Sequence, residues 1–407
     1  MVVAVTVVPE DVGLSSERLA RIDGWMAQQV AGGRLAGLSV LVARRGEVAY
    51  LRCHGQADMA RGTAMAADTI VRIYSMTKPL TSVAIMMLYE EGRFQLDDPI
   101  SQVLPEFRTM RVYLSGSRGR YDSVPAEREI TFRDLLTHTS GLTYGFMESS
   151  PVDAMYRDGG VDFQTSDSSL ADVVEKAARM PLIAQPGQEW NYSIATDVLG
   201  RLVEAISGQP FEQFLRARVI APLGMTDTDF HVTADRMPRF AANYVAHPKG
   251  GVVLFEDPAK SRYGSPRAVC SGGGGLVSTI GDYHRFCQMM LNKGVSGGNR
   301  LLGRKTVELM TANHLRGDMA DMGTPRFSES NYAGIGFGLG FSVTLDPARA
   351  QILGSAGEYA WGGAASTAFW IDPAEDMAVV MLTQLMPSST YPIRRELRVL
   401  TYAAVTD

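Results

Sequence analysis

Residues 75–88 of the 407-residue chain read Ser75-Met76-Thr77-Lys78-Pro79-Leu80-Thr81-Ser82-Val83-Ala84-Ile85-Met86-Met87-Leu88. From Leu80 to Leu88 the side chains are apolar nearly all round, the pattern of a helix buried on every face. Pro79 suits its first turn, where backbone N–H groups lack intrahelical partners. Ser75 and Lys78, three apart, then share one face of that turn. No other serine in the chain is followed three residues later by lysine. The pair has a chemical use, because a serine hydroxyl is a poor nucleophile until a neighbour takes its proton. Desolvation at the mouth of an apolar helix favours the neutral amine that can take it. The helix N-terminus also favours negative charge developing beside the serine. A surface N-cap serine beside a solvated lysine is the plain alternative for the tetrapeptide alone.

Upstream, residues 16–31 predict a helix opened by Ser15-Ser16 and closed at Gly32-Gly33. Two β-rich runs, 38–43 and 48–53, flank Arg44-Arg45-Gly46-Glu47 and predict a hairpin. A second hairpin is predicted near the other end, where 367–371 and 377–382 flank residues 372–376. Residues 337–345 add another strand, and 392–404 read as a closing helix. The middle is mainly helical. Its clearest helices are 194–207, with Ile194, Val198, Leu202 and Ile206 on one stripe and Gly208 as the stop, and 280–292. Strands at both termini with helices between predict an α+β chain: one antiparallel sheet built from both chain ends and flanked by helices, plus a mainly helical second lobe. The expected division is 1–95 with 325–407 as the sheet domain and 96–324 as an insertion roofing a pocket. Part of 180–210 is expected to pack with the sheet domain.

Composition narrows the function. Hydrophobic residues make up 45% and charged residues 20%, the balance of a globular protein, and surface scaling for this length buries about three quarters of the extended chain's area. The net charge of −5, without any block of five like charges, offers no footprint for nucleic acid or an anionic membrane. The longest apolar runs are too short to span a bilayer, and residues 2–8 lack the basic lead of a secretory signal. Cys53, Cys270 and Cys287 are an odd, widely spaced set, so a cytoplasmic location is expected.

No lysine follows a glycine, so there is no Walker A loop, and neither glycine cluster (272–275, 334–340) fits G-x-G-x-x-G/A. The six histidines are scattered, without H-E-x-x-H or C-x-x-C, so no metal or cofactor is expected. One G-x-S-x-G match, Gly294-Val295-Ser296-Gly297-Gly298, follows a helix and is followed by the polar Asn299-Arg300. A nucleophile elbow needs a strand before the serine and a helix after it, so Ser296 reads as a loop residue.

Further segments fall in order along the chain: Leu96-Asp97-Asp98-Pro99; Leu135-Leu136-Thr137-His138-Thr139-Ser140-Gly141-Leu142; Pro186-Gly187-Gln188-Glu189-Trp190-Asn191-Tyr192-Ser193; Gly274-Gly275-Leu276-Val277-Ser278-Thr279; and Trp361-Gly362-Gly363. With Ser75-Met76-Thr77-Lys78 they resemble the serine β-lactamase and penicillin-binding-protein superfamily, above all class C β-lactamases and family VIII carboxylesterases. The likeness implies a β-lactamase-like fold, Ser75 as the acylated nucleophile, and Lys78 and Tyr192 as the groups that move its proton. The backbone N–H groups of Ser75 and Ala364 would form the oxyanion hole. Trp361, Gly362 and Gly363 would line the substrate pocket, with the glycines letting an edge strand approach the substrate. Tyr144 and Phe146, just past the 135–142 segment, read as further pocket-lining residues, with ordinary loop packing as the alternative. From its residue type alone Tyr192 reads more readily as a packing aromatic ahead of the 194–207 helix. His138 reads as structural, and Cys270 as buried filler beside the 272–275 glycines.

Two positions depart from the lactamase pattern. Ile194 stands where lactamases carry an asparagine, and Trp361 replaces the lysine of their lysine-threonine-glycine element. Both changes remove polar anchors for a β-lactam, and esters need none. The expectation is a serine carboxylesterase hydrolysing small short-chain esters through an acyl-enzyme on Ser75, with weak β-lactam hydrolysis compatible with the same site. An acyltransferase, or a peptidase acting on D-amino or ω-amino amides, would use the same residues. Outside catalysis stands a penicillin-recognising homologue that binds without turnover, a role that has no need of Ser75, Lys78 and Tyr192 together.

Overall fold

A computed structural model describes residues 2–163, 167–323 and 332–407. Its centre is an antiparallel eight-stranded sheet drawn from both chain ends. The spatial order is Ile335–Phe337, Ser342–Thr344, Tyr359–Gly362, Ala368–Asp372, Met377–Thr383, Gly37–Arg44, Glu47–Asp58, Thr63–Ala64. The two hairpins read from the sequence meet at its middle, where Val40 pairs with Met381 and Val42 with Val379. Arg45 (φ 55°) and Gly46 (φ 81°) form the two-residue turn of the first, the left-handed geometry whose twist matches the flanking strands.

Every residue of Gly37–Arg44 is buried, because helices cover both faces. Val40 and Val379 pack with Leu19, Ile22 and Leu397 from the helices Ser16–Ala31 and Ile393–Tyr402. Leu41 and Val380 point the other way, into a core that includes Val83, Phe286 and Met290 of the helices Thr77–Glu90 and Ile280–Leu291. All twelve residues from Thr77 to Leu88 are buried, as the apolar run predicts. The helix Ala195–Ser207 packs beside it and ends on Gly208 at φ 71°.

The single strand expected at 337–345 is instead a hairpin, Ile335–Phe337 paired with Ser342–Thr344. Gly340 sits at φ 99°, and a Cβ there would meet Ser82 Oγ at 2.1 Å, so the chain folds back where only glycine fits. Among the described residues no helix is long and apolar enough to cross a membrane.

Candidate active site

Ser75 lies in a 3-10 turn, Tyr74–Met76, that runs directly into the Thr77–Glu90 helix. It therefore precedes the α-helix rather than sitting within its first turn. Tyr74 takes φ 42°, a left-handed conformation unusual for a tyrosine, and buried packing holds it there. Lys78, inside the helix, is 2% exposed, so its amine must find partners within the protein. It has three: Nζ lies 3.4 Å from Ser75 Oγ, 3.0 Å from the Tyr144 hydroxyl and 2.7 Å from the Gly273 carbonyl. An ammonium can donate to all three. A neutral amine can donate to Tyr144 and Gly273 and turn its lone pair to Ser75. Both protonation states are thus satisfied without rearrangement.

Tyr192 comes from the segment just before the Ala195–Ser207 helix, and its hydroxyl is 2.5 Å from Ser75 Oγ. Lys78 Nζ sits 4.5 Å above its ring, and Tyr144, Trp361 and His138 pack around it at centroid distances of 5.4, 5.6 and 5.1 Å. The structure thereby brings together Ser75, Lys78 and Tyr192, residues far apart in sequence, around one oxygen.

Asp197, in the first turn of the Ala195–Ser207 helix, escaped the sequence reading. A lone acidic residue in a helix's first turn is ordinary there, since it complements the helix dipole. In the fold it is fully buried and accepts from Ser271 Oγ (2.5 Å) and the Gly273 N–H (2.9 Å), the same residue whose carbonyl holds Lys78. Burial raises its pKa, opposed by the charge of Lys78 and by those hydrogen bonds. Burial likewise drives the Tyr144 phenol well above its ordinary value, assisted by Asp197 and Tyr192.

The Tyr359–Gly362 strand forms the opposite wall. It is not an edge strand, but its pairing with Ser342–Thr344 reaches only Ala360, which leaves Trp361 and Gly362 beyond that ladder. A cavity of about 870 Å³ opens between this wall and Ser75. Tyr144, Phe146, Tyr192, Trp361, Gly362, Gly363 and Ala364 all line it. A Cβ on Gly363 would lie 2.3 Å from the Ile73 carbonyl oxygen, so glycine is what lets this strand close on the turn carrying Ser75.

Residues 22–403 match the β-lactamase family model. The chain belongs to the β-lactamase family. It is similar to Protein Rv1367c of Mycobacterium tuberculosis (strain ATCC 25618 / H37Rv), 38% identical over 363 residues and 87% of each chain. It is also similar to Esterase EstB of Burkholderia gladioli, 34% identical over 384 residues, 89% of this chain and 90% of that one. Among solved structures it resembles "EstCE1, a hydrolase with promiscuous acyltransferase activity", with a TM-score of 0.80, 29% identity, and coverage of 95% of this chain and 99% of that one. The likeness to family VIII esterases within the serine β-lactamase superfamily holds along nearly the whole chain, and with it a serine-hydrolase frame.

Within this family frame the remaining sequence candidates find plain places. His138 is buried at φ 56°, with Nδ1 3.2 Å from Ser193 Oγ and its ring against Trp190, Tyr192 and Phe337. Burial, then the Lys78 charge, holds its pKa well below the usual value, so it braces Tyr192 as a neutral ring. Ser296 lies in a two-residue hairpin, Val295–Ser296 with Asn299–Arg300, rather than the irregular loop expected. It has none of the elbow's strand-then-helix setting. Cys270 is buried in the core, and its thiol is pushed up to about 12, chiefly by burial. Ile194 is buried at the N-cap of the Ala195–Ser207 helix.

Proposed function

We propose that the protein is a serine carboxylesterase that hydrolyses short-chain carboxylic esters through an acyl-enzyme on Ser75. The observation that carries this reading is the convergence of Tyr192 Oη and Lys78 Nζ on Ser75 Oγ at the floor of a largely apolar cavity. In the first half-reaction the Tyr192–Lys78 pair takes the Ser75 proton as one coupled unit while Oγ bonds to the ester carbonyl carbon. The carbonyl electrons move onto oxygen, which the N–H groups of Ser75 and Ala364 receive. Collapse of the tetrahedral adduct breaks the bond to the alkoxide, which leaves with the proton held by the pair. Water then repeats the sequence on the acyl-Ser75 ester and releases the acid.

The walls favour esters over β-lactams. Trp361, which lines the cavity, offers carbon where the lactamase pattern puts an ammonium, and it packs on Tyr192 and on Phe337 (5.3 Å). Ile194, in place of the asparagine, is buried in the core behind the cavity and leaves no amide to face it. Similarity to an esterase supports the same choice. Transfer of the acyl group to an alcohol is the second reading. It is favoured by a cavity large enough for an acyl group and an acceptor together, and by likeness to EstCE1, a hydrolase with promiscuous acyltransferase activity. Labelling with a fluorophosphonate followed by peptide mass spectrometry tests the nucleophile. The adduct is expected on the peptide containing Ser75, and an adduct elsewhere contradicts the mechanism.

A further inference from the structure

Arg394, in the first turn of the Ile393–Tyr402 helix, reaches across to the turn that follows Trp361-Gly362-Gly363. One of its nitrogens, Nη2, donates to the Gly363 carbonyl and to the Thr367 carbonyl, both at 2.9 Å. The same two residues are joined by a backbone bond from the Gly363 N–H to the Thr367 carbonyl at 2.9 Å. The Gly363 carbonyl and the Ala364 N–H belong to one trans peptide plane, so they point in opposite directions. Whatever fixes the carbonyl fixes the N–H.

We propose that Arg394 is the positioning residue of the oxyanion hole: its guanidinium holds the Gly363–Ala364 peptide so that the Ala364 N–H faces the oxygen bound at Ser75. This rests on the esterase reading above. A cation on the carbonyl also polarises the peptide and makes its N–H a stronger donor. The glycine at 362 acquires a reason as well. A Cβ there would lie 2.6 Å from Arg394 Cζ and Nη2, so Gly362 leaves the space in which the guanidinium lies. The Trp-Gly-Gly element thus divides its tasks. Trp361 walls the cavity, Gly362 admits Arg394, and Gly363 admits the Ile73 backbone.

Arg394→Met and Gly362→Ala each disturb the clamp from one side, and neither residue supplies an atom to the oxyanion. Steady-state kinetics on p-nitrophenyl butyrate should show kcat reduced about 10- to 100-fold in both, less than the loss of a whole donor, with KM changed by less than about threefold. The Ki of phenylboronic acid, whose Ser75 adduct places an oxygen in the hole, should rise in step with the fall in kcat. Arg394→Lys should recover part of the loss, and the Arg394→Met/Gly362→Ala double variant should be no worse than the poorer single one. Should Arg394→Met fail to fold, Gly362→Ala decides alone through the same two measurements. Full kcat and unchanged boronate affinity in a folded variant overturn the clamp. If Ser75→Ala is dead in that case, the esterase reading stands. A wild type without ester turnover removes that reading instead, and the boronate arm still tests the clamp.

Discussion

The Tyr192 hydroxyl stands 2.5 Å from Ser75 Oγ, nearer than Lys78 Nζ at 3.4 Å, while Lys78 spreads its other contacts over Tyr144 and Gly273. Tyr192 thus makes the shorter of the two hydrogen bonds to Ser75, and Lys78 makes the longer one from above the Tyr192 ring. Tyr192→Phe removes one oxygen and leaves the ring contacts intact. It should lower kcat for p-nitrophenyl butyrate by about 10²- to 10⁴-fold at a stability cost of about 1 kcal/mol. A variant with wild-type kcat would mean that Lys78 alone suffices.

Asp197→Asn keeps an acceptor for Ser271 and Gly273 but deletes a buried negative charge that acts on Lys78 and Tyr144. Activity should fall about 10- to 100-fold, with a lower melting temperature than the wild type, since the change leaves the buried Lys78 without the negative charge that faces it. Unchanged activity would reduce Asp197 to a hydrogen-bond acceptor.

Trp361 packs 5.6 Å from Tyr192 and 5.3 Å from Phe337 and forms one wall of the cavity. Trp361→Ala should raise KM for aryl esters about tenfold, more than it changes kcat, because the ring contacts ground and transition states alike. A loss confined to kcat would place the ring in the chemistry.

Burial, together with the charge of Arg285, lowers the pKa of His284 from 6.5 to about 4. The folded protein keeps this ring neutral while the unfolded chain protonates it. Stability present above pH 6.5 is therefore lost progressively as the pH falls towards 4. This group contributes a loss of about 2 kcal/mol between pH 6.5 and 4.5. Urea unfolding at both pH values should show a smaller drop for His284→Gln than for the wild type. Equal drops would remove His284 from the acid sensitivity.

What the sequence made legible followed from local chemistry. The buried helix after Ser75 announced itself by apolar residues on every face, and the two central hairpins by their turn residues. Gly338 to Gly340 hid a fold-back inside what reads as one strand, because glycines mark a bend without giving its direction. Asp197 and Arg394 were hidden for a related reason. Each is a charge in the first turn of an amphipathic helix, and only the fold shows that one lies beneath Lys78's partner and the other on the Gly363 carbonyl. Tyr144, expected only to line the pocket, proves to touch Lys78 directly.

The central claim is tested most directly by initial rates of p-nitrophenyl butyrate hydrolysis for the wild type, Ser75→Ala and Ser296→Ala, purified in parallel. Wild-type turnover should survive in Ser296→Ala and collapse by about three orders of magnitude or more in Ser75→Ala. Turnover that persists in Ser75→Ala would contradict the account and place the nucleophile elsewhere.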